Sequence, residues 1–180
     1  MERVKNIMYR LSGLVGIISA VGYIAIIVLC VVDVFVEKLA NAPIIGSYEM
    51  VERCMIVAVF TSFAYAQAKK AHINMPILIE RFPRILRLIT LGLTSVVSTG
   101  ISFYLGYAAF QQFRDATQLN NVTGILKIPH GPFYLVESIA MFLFGLVLVI
   151  DTIVIFGALK SDRLNQEVNE GYGLANMKDL

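Results

Sequence analysis

Residues 11–36 carry a single charged side chain, Asp33, and no proline. Three further apolar stretches follow, at about 47–68, 88–113 and 133–159. Each exceeds the ~20 residues that an α-helix needs to cross a ~30 Å hydrocarbon layer. Lipid offers no hydrogen bonds, so a spanning segment must satisfy its own backbone, and a helix does so. A β-barrel would need strands of ~10 residues with alternating polarity, a pattern these runs lack. Charged residues make up 16% of the chain and hydrophobic ones 57%, whereas soluble domains are about 25% charged. That leaves too little polar material to cover a soluble core. The expected fold is an all-α integral membrane protein, one membrane domain over residues 1–180. It has four transmembrane helices and an interfacial amphipathic segment between the second and third.

The basic residues before the first run resemble a signal peptide, and Ala40, Asn41 and Ala42 resemble a cleavage site. The apolar run is longer than the roughly 7–15 residues of a signal core, and Pro43 disfavours cleavage there. It is read as a retained transmembrane helix. Lysine and arginine then set the orientation. Arg3, Lys5 and Arg10 precede the first span. Lys69, Lys70, Arg81, Arg84 and Arg87 lie in the second loop, and Lys160, Arg163 and Lys178 in the tail. Against these eleven, the other two loops hold Lys38, Arg114 and Lys127. Both termini and the second loop are expected in the cytoplasm. The second loop mixes isoleucine and leucine with Arg81, Arg84 and Arg87, between and after Pro76 and Pro83. It reads either as helical pieces lying against lipid phosphates or as an ordinary basic connector. The polar tail, 161–180, is expected to be mobile or to contact a partner.

Charges gather where the first span leaves the membrane and the second begins: Asp33, Glu37, Glu49, Glu52 and Arg53. Glu49 and Arg53 are four apart with the acid first, the favourable order on a helix. Acids also suit a helix N-terminus. Arg53 lies deeper, and Asp33 or Glu49 is its expected partner. The cluster reads as a salt-bridge lock between two helices, as a contact for a partner protein, or as an ion or substrate site. Glu137 again suits a helix start. Asp151 is expected to reach Lys160 or another basic group.

In the third span Gly92, Ser95, Thr99, Ser102, Gly106 and Ala109 recur every three or four residues and form one face of small side chains. Small residues let helix backbones approach closely in lipid. The face packs either on this chain's own helices or on a helix of another subunit. His72 and His130 fall on opposite sides of the membrane and cannot share a haem iron. Cys30 and Cys54 read as buried packing cysteines. No metal, cofactor or catalytic group is expected, and no nucleic-acid partner.

Three stretches carry a resemblance: GSYEMVE from Gly46, FAYAQAKKAHINM from Phe63, and LKIPHGPFYLVESIAMFLFGL from Leu126. They resemble the small membrane subunit (Q-type, DctQ-like) of tripartite ATP-independent periplasmic (TRAP) transporters, over nearly the whole chain. Pro76 and His130 stand where members often carry an acid and a tryptophan. The resemblance implies a bacterial inner-membrane protein, a large elevator-type membrane partner that moves an organic acid anion with sodium, and a periplasmic substrate-binding protein. Sodium would bind the partner, and phospholipids would surround the chain. The small subunit itself would be a non-catalytic scaffold. The alternatives are a homo-oligomeric small transporter or channel, and a redox membrane anchor.

Overall fold

The computed structural model describes residues 2–69, 83–159, 164–166 and 168, with side chains from residue 13 onward except that of Arg84. Four helices are described: α1 (Glu2–Ala40), α2 (Ser47–Ala68), α3 (Arg84–Gln118) and α4 (Gly131–Gly157). The region expected to form an interfacial segment lies largely outside the described residues. Among the described residues three helices, Gly13–Ala40, Ile85–Gln118 and Gly131–Gly157, are long and apolar enough to cross a membrane, with mean hydropathies of 2.8, 1.6 and 2.8 over an 18-residue stretch of each. The fourth, α2, falls short of that apolarity because it carries Glu49, Glu52, Arg53 and Gln67.

Local chemistry explains where the helices stop. Chain leaves α1 at Asn41 in the left-handed region (φ 52°), with Pro43 close behind; both residues favour a helix end. The third helix ends the same way. Asn120 has φ 48°, and the Asn121 amide donates back to the Ala116 carbonyl at 2.9 Å. Pro132 occupies the first turn of α4, where its missing N–H costs nothing. Both α1 and α3 run past the apolar stretches expected at 11–36 and 88–113. A helix ends at a backbone signal, not where hydrocarbon gives way to water. At about 1.5 Å per residue, α3 is ~52 Å long and outreaches any bilayer core.

The helices form an open row in the order α1, α2, α4, α3, with α1 barely touching α4. Close approach sets the α1–α2 contact. A Cβ on Gly22 would lie 3.0 Å from the Ala58 Cβ, and the Ser19 hydroxyl donates to the Ala58 carbonyl at 2.7 Å. In the middle, α2 and α4 run in the same direction and stack Phe63 on Phe144 at 5.8 Å. At the end without the two short loops, Leu88, Leu91, Ile155, Ala158 and Val168 form a buried cluster with Val154 and Leu164 beside it. Val168 is thus packed into the protein, although the tail was expected to be mobile or partner-bound. The end helices turn long apolar faces outward: Leu14, Val21 and Ile24 of α1 are each 61% exposed.

The Gly22 contact generates a stability test. Gly22→Leu forces a side chain into the Ala58 backbone; overpacking of this kind costs about 1–3 kcal/mol. We expect the detergent-solubilised chain to melt about 5 °C lower. Gly100, which has nothing within 4 Å of its Cβ position, should accept leucine with the melting temperature unchanged within about 2 °C. Circular dichroism melts of the two variants check this.

Candidate functional site

The expected charged cluster lies at one end of the row, where residues 41–46 and 119–130 connect the helices; this end is called the rim. Asp33, in the penultimate turns of α1, accepts two hydrogen bonds. Its Oδ1 takes the Ile44 amide at 2.9 Å and its Oδ2 the Ser47 hydroxyl at 3.0 Å. The side chain therefore fastens the α1–α2 turn and the first residue of α2.

Glu49, two residues further, reaches a different loop. Its Oε1 accepts the Ile125 amide at 2.8 Å, and its Oε2 the Leu126 amide at 2.9 Å. A carboxylate holding two adjacent backbone donors makes charge-assisted bonds, roughly twice as strong as neutral ones. The loop is shaped to offer them. Thr123 and Ile128 close it: the Thr123 amide donates to the Ile128 carbonyl at 2.9 Å, and the Ile128 amide to the Thr123 hydroxyl at 3.0 Å. Val122 and Pro129 bridge across its neck. Gly46 completes the joint. It sits at φ 83°, and a Cβ there would fall 2.5–2.8 Å from the Leu126 side chain. Glycine is needed twice over, for the left-handed backbone and for the space.

Arg53 corrects an expectation. It pairs with neither Asp33 nor Glu49: its Nη2 lies 3.1 Å from the Glu52 Oε1, and its guanidinium sits over the Phe133 ring at 5.7 Å. Both expected acids are already engaged by backbone amides. Arg53 is 6% exposed, and its Nε has no hydrogen-bond partner. Glu37 stands apart, exposed near the end of α1.

The small-residue face lies against α4 of the same chain. Ser95 and Thr152 share a hydrogen bond of 2.6 Å, Ser102 donates to the Met141 carbonyl at 2.9 Å, and Ser138 donates to the Gly106 carbonyl at 2.9 Å. Gly92 faces Phe156 and Ile155, Thr99 bonds back to the Ser95 carbonyl at 2.7 Å, and Ala109 is buried. Such bonds contribute about 0.6 kcal/mol each in membranes, so close packing carries most of the attraction.

Near the other end Gln67 donates to Asp151 at 2.6 Å, joining α2 to α4. Gln67 was not among the partners expected for Asp151 from the sequence. Of the basic residues, Lys69 is exposed just after α2 and Arg87 is half-buried. Lys70, Arg81 and the Arg84 side chain lie outside the described residues, as does His72. His130 precedes α4 and stacks on Tyr134 at 6.2 Å. Both cysteines are free; Cys54 is half-buried, but Cys30 is exposed. The buried reading fails for Cys30 because α1 has a neighbour on one side only. Among the described residues no group of His, Cys, Asp and Glu could hold a metal. A cavity of about 350 Å³ lies between the end of α3 and the start of α4, lined by Phe113, Thr117, Val122, Pro132 and Leu135 among others. It contains no ionisable side chain.

A family model described as "Tripartite ATP-independent periplasmic transporters, DctQ component" matches residues 26–157. No curated protein and no solved structure matches the chain.

The Glu49 clamp makes a local prediction. Glu49→Gln and Gly46→Val should each raise hydrogen exchange at the Ile125 and Leu126 amides by about tenfold or more, since charge and close fit hold them. Exchange followed by mass spectrometry reads this directly; unchanged protection of both amides would remove the clamp.

Proposed function

The chain belongs to the DctQ family, a component of tripartite ATP-independent periplasmic (TRAP) transporters, and on that premise we propose that it is a non-catalytic brace for the large membrane subunit. Family membership makes it a small permease component that works with other TRAP components, and its three apolar helices make it a membrane protein. The finer reading is ours. The large subunit moves an organic acid anion with sodium, after delivery by a soluble binding protein. This chain holds that subunit in place in the bacterial inner membrane, with both termini cytoplasmic and the rim facing outward.

One observation carries the bracing role: the row is open, and its end helices present apolar faces to whatever adjoins them. Continuous helices support it too, since transporters usually build substrate sites from broken ones. In this reading α2 is the fourth span. Its 22 residues suffice for a bilayer core, and its polar side chains Arg53 and Gln67 are buried against the chain itself.

Affinity-tagged chain, expressed with the other two components, should retain the large subunit through detergent purification. Deleting the chain should abolish sodium-driven uptake of the labelled anion. Liposomes holding this chain alone should show no flux above empty vesicles. Flux from the chain by itself would overturn the proposal and favour a self-sufficient transporter.

A further inference from the structure

The acidic side chains of the helices differ in how they are held. Asp33 and Glu49 each accept two hydrogen bonds. Glu52 pairs with Arg53, and Asp151 accepts from Gln67. Glu37 and Asp115 are exposed at helix ends. Glu137 fits none of these cases. It is half-buried, and among the described residues it has neither a hydrogen bond nor an ion pair.

Its position makes that unusual. Glu137 stands well inside α4, which begins at Gly131, about 9 Å along the axis. The next residue, Ser138, is buried and bonded to α3. Four residues earlier on the same face is Phe133, the ring that Arg53 covers. The nearest cation by sequence geometry is therefore Arg53, yet it is held by Glu52 and does not pair with Glu137. A carboxylate at this depth is costly in hydrocarbon unless a donor meets it, and such residues ordinarily face a partner or a cavity. No described residue of this chain supplies a donor, whereas a neighbouring membrane subunit can.

We propose that Glu137 is a docking contact: its carboxylate accepts a hydrogen bond from a basic or amide side chain on a transmembrane helix of the large subunit. The inference rests on the reading of this chain as a TRAP small subunit. Charge complementarity selects the occupant. An apolar helix would leave the carboxylate unpaired, and an acidic one would repel it. The contact sets register, because a polar pair fixes the height of one helix against another where apolar faces alone would slide.

The test uses the assembled transporter in detergent, with the large subunit retained by tagged chain as the readout. Glu137→Leu should lower retention at least about tenfold, near 1.4 kcal/mol, while Glu137→Gln, which still accepts a hydrogen bond, stays within about threefold. Glu37→Leu, at an exposed site, should match wild type. Equal retention by Glu137→Leu and wild type overturns the contact and leaves the bracing role standing. Failure of wild type to retain the large subunit instead sinks that role, and this contact with it. If Glu137→Leu does not accumulate, a photoreactive benzoylphenylalanine in place of Glu137 decides. Adducts with the large subunit are expected; adducts confined to lipid or to this chain overturn the proposal.

Discussion

In hydrocarbon the polar atoms of a helix find no water, so they bond within the protein or remain a cost. That constraint orders this molecule. Ser95, Ser102 and Ser138 place hydroxyls across the α3–α4 seam. Ser19 does the same between α1 and α2, and Gln67 with Asp151 between α2 and α4. The bonds are individually weak in membranes, but each fixes the register of two helices that apolar packing would hold only loosely. Between them these seams account for the order of the row.

The rim follows the same logic with stronger partners. Two carboxylates, Asp33 and Glu49, hold backbone amides of two separate loops. Gly46 gives up a side chain so that Leu126 can lie against the start of α2. The sequence segments around Gly46 and Ile128, far apart in the chain, thus meet in one joint.

Much of this was legible in the residues. Long apolar runs fix the helical class because lipid forbids unsatisfied backbone, and the three- and four-residue recurrence of small side chains from Gly92 to Ala109 marks a close-packing face. Other features lay beyond reach. Helix spacing suggested Arg53 as the partner of Glu49, since the i,i+4 rule sees one helix at a time. The true partners of Glu49 are main-chain amides 76 and 77 residues away, and an amide leaves no mark on residue type. Gln67 was hidden for a related reason: charge invites a search for charged partners, and a neutral amide that also bonds to Asp151 is passed over. The spatial order of the helices was equally hidden, because α2 meets α4 through a seam that no short connection announces. Exposure of Cys30 follows from that order, with α1 at an end.

The central claim of the proposed function is that the four helices form a dry brace, with no aqueous route between them. Single cysteines placed along the α2–α4 seam at Phe63, Phe144 and Leu148, within the assembled transporter in native membranes, test it most directly. A membrane-impermeant thiol reagent applied from either side should leave all three unmodified while labelling a cysteine at exposed Tyr48. A continuous stripe of reactive positions along that seam would reveal water inside the row and contradict the account.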